Sequence, residues 1–147
     1  PLYLGFVTVH DGARNQIAGA IAETQASLRK RDDIVIRRGG LTPDTGPDRS
    51  VVDVMGDLGY DLSTQSPTRI TQEELGTLDI AVLSGDTLSI SDMPPGVIVQ
   101  DWDGIARASG TEAEIRVMCL DIEQRVVELF RSLPSQAHRA GLRGYGR

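Results

Sequence analysis

The chain has 147 residues, a mass of 15.9 kDa, a formal net charge of −6 and a single cysteine, Cys119. This length suits one domain with a sizeable core, and 39% hydrophobic against 24% charged residues reads as globular. One cysteine excludes an internal disulfide framework, a multi-cysteine zinc site and a relay between two thiols of the same chain.

The charge is unevenly spread. Residues 1–133 hold all 21 acids against 12 bases, while 134–147 carry Arg139, Arg143 and Arg147 with no acid. An acidic body argues against nucleic-acid binding. The organisation expected is a domain over 1–133 followed by a basic, partly flexible tail over 134–147. Fourteen of the 15 bases are Arg and only Lys30 is Lys, which reads as a genomic bias. No run of about 18 apolar residues occurs, and no charged-then-apolar leader precedes the first strand-like run. A soluble cytoplasmic protein without membrane association is therefore expected.

Leu2 to Val9 is an apolar, β-branched and aromatic run that predicts a buried parallel strand. His10 to Arg14 follows as a short loop. Ile17, Ile21, Thr24 and Leu28 then recur at helical spacing, with Ala18, Ala20 and Ala22 between them. Residues 33–36 predict a second strand, ended by Gly39-Gly40, and 41–48 a loop. Val51, Val52, Met55 and Leu58 mark a second helix stopped by Gly59, and 63–70 a polar loop. Thr71 with Glu74 three residues on fits a capping box that opens a short third helix. Residues 79–83 predict a third strand and 97–99, after Pro94-Pro95-Gly96, a fourth. Ile115, Met118, Cys119, Ile122, Val126 and Leu129 lie along one face of a long last helix.

Strands alternating with helices predict an α/β fold: a three-layer, doubly wound, four-stranded parallel sheet with helices on both faces. Ligands in such sheets sit beyond the carboxyl ends of the strands. That places the candidate site at residues 8–15, where a strand runs directly into a helix N-terminus whose N–H groups suit an anion.

Several collinear segments resemble the low-molecular-weight protein tyrosine phosphatase superfamily, and its arsenate reductase branch in particular. Phe6-Val7-Thr8-Val9-His10-Asp11-Gly12-Ala13-Arg14-Asn15-Gln16-Ile17-Ala18 is similar to that family's strand, anion loop and helix start, F-V-C-V-H-N-A-G-R-S-Q-M-A. Val52 to Thr64, with Met55, Gly59, Asp61 and Ser63, resembles its second helix and turn. Asp101-Trp102-Asp103 resembles its D-W-D segment, and the long helix follows without a gap. The resemblance covers residues 2–133 and implies flavodoxin-like strand order.

It also implies a thiolate nucleophile where this chain has Thr8, a loop asparagine where it has Asp11, and a serine where it has Asn15. A threonine hydroxyl does not ionise under helix-end effects alone. A carboxylate about 4 Å from a bound anion costs roughly 4 kcal/mol at an effective dielectric near 20. The family's general acid and the proline after it fall on Ala106 and Arg107, and its resolving cysteines have no counterpart. Cys119 reads as a small buried residue of the last helix.

The retained cation is Arg14, whose family role is a bidentate clamp on oxyanion oxygens. An internal ion pair with Asp11, three residues away, is the alternative. Thr8, Asp11 and Arg14 are therefore the candidate reactive residues, with His10 and Asp103 beside them. Val9, His10, Gly12, Ala13, Asn15, Trp102 and Arg107 are the candidate ligand contacts. Two functional readings follow. One is a binding or regulatory pseudoenzyme that takes a small-molecule ligand or a protein partner at the anion-loop cleft. The other is a repurposed enzyme that uses Asp11, His10, Arg14 and Asp101 or Asp103 for acid–base chemistry, such as dehydration, isomerisation or cyclisation of a small metabolite. Pro1 at the head of a strand also resembles the catalytic base of the tautomerase superfamily, but Leu2 onward follows the phosphatase-like strand. No cofactor is implied. No metal site is expected, because His10 and His138 are far apart in the chain. A homodimer is compatible with the composition, although two Phe, one Trp and three Tyr limit an aromatic interface.

Overall fold

The first strand, β1 (Leu2–Thr8), is buried almost throughout and forms the centre of the molecule. A computed structural model describes residues 1–10, 12–43, 46–63, 66–84, 88–106 and 109–135. Beside β1 lie β2 (Ile34–Gly40) and β3 (Ile80–Leu83), with β4 (Ile98–Asp101) outside β3. The order is β2-β1-β3-β4 and every pairing is parallel. This is the doubly wound sheet that the alternation of elements predicts.

The pleat of β1 divides two cores. Leu2, Leu4 and Phe6 enter the larger one, with Ile17, Ile21, Val54, Met55, Met118 and Ile122 from the helices. Val7 enters the smaller one, with Ile70, Leu75, Leu78, Leu83 and Met93. The larger core is covered by α1 (Ala13–Leu28), α2 (Arg49–Asp57) and α4 (Glu112–Ser132). The smaller is covered by α3 (Gln72–Leu75) and a single 3-10 turn at Ile90–Asp92 that periodicity does not reveal. Gly5 in β1 leaves the space that Leu78 fills: a Cβ there would come within 2.5 Å of the Leu78 Cδ1.

The capping box predicted at Thr71 forms, and a second one that was not predicted opens α4. At α3, Thr71 Oγ1 accepts from the Glu74 N–H at 3.1 Å while the Glu74 carboxylate accepts from the Thr71 N–H. Thr111 and Glu114 repeat the arrangement at the start of α4. The six apolar residues predicted to share one face of α4 are all buried.

The strand boundaries shift from the sequence reading, by one residue at β1 and β3 and by more at β2 and β4. β2 includes Gly39-Gly40 as its last two residues instead of stopping before them, with Thr8 opposite Gly40. The reason is close approach. The Gly40 N–H donates to Thr68 O at 2.8 Å and the Ile70 N–H donates to Gly40 O at 3.0 Å. A Cβ on Gly39 would lie 2.7 Å from the Ile70 Cβ, so glycine is what lets this segment close on the strand edge. At the other edge β4 covers Ile98–Asp101 rather than 97–99, held there by the Trp102 N–H donating to Leu83 O at 2.7 Å. Leu133 is buried against the larger core. The tail expected over 134–147 lies outside the described residues from 136 onward.

Candidate functional site

The carboxyl edge of the sheet brings β1, β3, the start of α1 and the segment after β4 to one place. Thr8 ends β1 and is buried. Its carbonyl accepts from the Leu41 N–H at 3.3 Å, and the Val9 carbonyl accepts from the Thr42 N–H at 2.7 Å. His10 is exposed, with Nδ1 3.1 Å from the Thr42 carbonyl. A carbonyl only accepts, so this bond puts the proton on Nδ1 and leaves Nε2 as the basic nitrogen of the neutral ring. The chain is thereby strapped to 41–42 as it leaves the strand.

Asp11, a candidate reactive residue, lies outside the described residues, so the predicted choice between clamp and Asp11 ion pair for Arg14 does too. The structure resumes at Gly12, the extended N-cap of α1. The Asn15 and Gln16 N–H groups make the first helical bonds, both to Gly12 O, at 3.1 and 3.2 Å. The N–H groups of Gly12, Ala13 and Arg14 precede those bonds, so they are the helix's open end. Among the described residues no side chain caps it, and no acid stands in the first turn. A Cβ on Gly12 would meet nothing within 4 Å, so space is open beside this end. Over four turns, α1 places partial positive charge here.

Arg14 is half-buried and its guanidinium donates to the Ile105 carbonyl at 3.5 Å. That contact spans 91 residues and draws the segment after β4 to the loop. Asn15 is completely buried, and its Nδ2 donates to Phe6 O at 2.9 Å and to Gly39 O at 3.1 Å. The amide thus ties the start of α1 to both β1 and β2. Trp102 is largely buried, with its ring 5.9 Å from Phe6 and its Nε1 donating to Gln100 Oε1 at 3.1 Å. Asp103 and Ala106 are exposed, and Arg107 lies outside the described residues. The structure therefore gathers Thr8, Val9, His10, Gly12, Ala13, Arg14 and Asn15, and links them through Arg14 to the segment that carries Trp102 and Asp103.

The only thiol of the chain is elsewhere. Cys119 is buried on α4, and burial pushes it up to about 11, with the Arg116 charge opposing this. Among the described residues no group of three or more His, Cys, Asp or Glu could hold a metal ion. Among the same residues no helix is long and apolar enough to cross a membrane.

Sequence reasoning passed over Ser84, the residue after β3. It is buried, and its Oγ has no hydrogen-bond partner among the described residues. The signal was present: a hydroxyl residue directly follows a wholly apolar strand at the sheet's carboxyl edge.

This arrangement was compared with known proteins. No family model matches the chain. A Halobacterium salinarum protein named "Putative arsenate reductase" is 39% identical over 129 residues, spanning 86% of this chain and 89% of its own. The chain belongs to the arsenate reductase family. Solved structures agree on the fold. The thioredoxin-dependent arsenate reductase of Corynebacterium glutamicum superposes with a TM-score of 0.68 at 24% identity, covering 89% of this chain. The match spans 61% of that longer chain. A low-molecular-weight phosphotyrosine phosphatase from Vibrio cholerae superposes with a TM-score of 0.76 at 19% identity, covering 94% of this chain and all of its own. For this arsenate reductase-like chain, the family resemblance read from the sequence is thus supported by a relative and by the fold.

Proposed function

We propose that this member of the family binds an oxyanion-bearing small molecule or protein partner at loop 8–15 without thiol-based turnover, as a binding or regulatory pseudoenzyme. The observation that carries this reading is the separation of parts. The uncapped N-terminus of α1 and Arg14 stand at the sheet edge, where the nearest strand residue is Thr8. The only thiol, that of Cys119, is buried in α4, and burial raises its pKa to about 11. Backbone N–H groups and a guanidinium can hold tetrahedral oxygens. A threonine hydroxyl does not ionise under helix-end effects alone, as a thiol can. The test is turnover of p-nitrophenyl phosphate, and of arsenate with reduced thioredoxin. Rates equal to those of Thr8→Ala are expected; clear activity above that variant overturns the proposal.

A second reading, acid–base chemistry on a small metabolite, is favoured by one observation. The Thr42 carbonyl fixes His10 with Nε2 as its base at the exposed mouth of the loop. Loss of a product-forming activity in His10→Gln, with phosphate binding intact, distinguishes it. A soluble protein acting in the cytoplasm, and a tail over 134–147 that is separate from the domain, remain part of this proposal.

A further inference from the structure

We infer that Ser84 is a ligand-contacting residue of the loop site, its hydroxyl donating to an oxyanion oxygen from the strand side. This rests on the reading of loop 8–15 as an oxyanion site and adds a residue to it. The geometry comes from sheet register. Val7 faces Leu83, so Thr8 and Ser84, the next residues along, stand side by side on neighbouring strands about 4.8 Å apart. Leu83 faces Asp101, so Ser84 also stands beside Trp102. Gly40, Thr8, Ser84 and Trp102 thus form one row across the carboxyl edge.

The pleat sets the direction of the side chains. In β1, Phe6 enters the larger core and Val7 the smaller; in β3, Val82 enters the larger and Leu83 the smaller. The next residue on each strand returns to the larger-core side, which is the side that α1 covers. Thr8 and Ser84 therefore lie on the same face, at the edge where α1 begins with its uncapped N-terminus.

Ser84 is 1% exposed and its Oγ has no partner among the described residues. A buried hydroxyl left unpaired is costly, so an unpaired one at the rim of a ligand site calls for a ligand atom. An oxyanion held by the N–H groups of Gly12 to Arg14 supplies the missing acceptor. The hydroxyl then makes a charge-assisted bond, the stronger kind.

Trp102 is the only tryptophan of the chain and Ser84's neighbour in the row, so its fluorescence reports the site. The experiment titrates inorganic phosphate into the full chain and into Ser84→Ala and Ser84→Cys, following Trp102 fluorescence, with thermal melting of each ligand-free protein. Ser84→Ala is expected to bind phosphate at least about tenfold more weakly. Its ligand-free Tm is expected to rise by about 2–6 °C, because an unpaired buried hydroxyl has been removed. Ser84→Cys, which keeps the size and a weak donor, should fall between. Equal phosphate affinity in wild type and Ser84→Ala overturns the inference and leaves the loop reading standing. A lowered Tm with unchanged affinity assigns Ser84 a purely structural part and also overturns it. Absence of saturable phosphate binding in the wild type overturns both the inference and the loop reading.

Discussion

Two buried regions of this molecule hold its nucleophile-type side chains, and they differ in everything but burial. At the carboxyl edge of the sheet, Thr8 and Ser84 carry hydroxyls beside the open start of α1. Within α4, Cys119 carries the thiol on an apolar face, packed into the larger core. The edge has helix-start N–H groups, the Arg14 guanidinium and open space, whereas Cys119 packs among apolar residues and feels only the opposed charges of Arg116 and Glu123. A helix N-terminus presents N–H groups and partial positive charge to an anion, which a helix interior does not. The only thiol of the chain therefore lies away from the open helix start at the sheet edge.

The largest effect expected at the edge comes from Asp11. Asp11→Asn removes a negative charge from the loop, and a like charge about 4 Å from an anion costs roughly 4 kcal/mol. Phosphate affinity should rise, by up to about a thousandfold, in calorimetric titration. Unchanged affinity would show that the carboxylate does not face the bound anion.

Next in size is Asn15, whose amide holds β1 and β2 to the start of α1. Asn15→Ala leaves two buried carbonyls short of a donor and should lower unfolding stability by about 2–3 kcal/mol in urea. A loss of only a few tenths would mean that the edge is not held from this side chain. Arg14→Ala should weaken phosphate binding about 10- to 100-fold, with Arg14→Lys recovering only part, because an ammonium cannot clamp two oxygens.

The smallest effect belongs to the other region. The Cys119 thiol has its pKa raised by burial from 9.0 to about 11. The folded state therefore holds this proton more tightly than the unfolded chain. Its contribution to stability is full below pH 9 and is lost as the pH rises towards about 11. Cys119→Ala should flatten the decline in urea midpoint between pH 8 and pH 10.5, and native protein should resist thiol reagents at pH 8 until unfolded. Rapid native labelling would erase the contrast between the two regions.

Much of this architecture was legible in the sequence because it is local. Apolar runs gave the four strands, and 3.6-residue spacing gave the buried face of α4. Thr71 and Thr111 with glutamates three residues on place helix starts, although only the first was read that way. The misses are tertiary. Gly39-Gly40 reads as a stop in isolation, yet it continues a strand because Ile70 packs where a Cβ would be. Arg14 meets the Ile105 carbonyl across 91 residues, which no spacing rule predicts. The Asn15 amide bonds to the Phe6 and Gly39 carbonyls of two strands, a tie that its place in the loop does not reveal. Ser84 became visible only when register put it beside Thr8 and burial left its hydroxyl unpaired.

The most direct test of binding without thiol turnover is phosphorus NMR of p-nitrophenyl phosphate with stoichiometric protein, run beside Thr8→Ala. The account predicts a saturable change of the ester resonance on titration, with the ester intact at the rate of the Thr8→Ala sample. Free phosphate appearing faster with the wild type, or an ester resonance that never responds to protein, would contradict it.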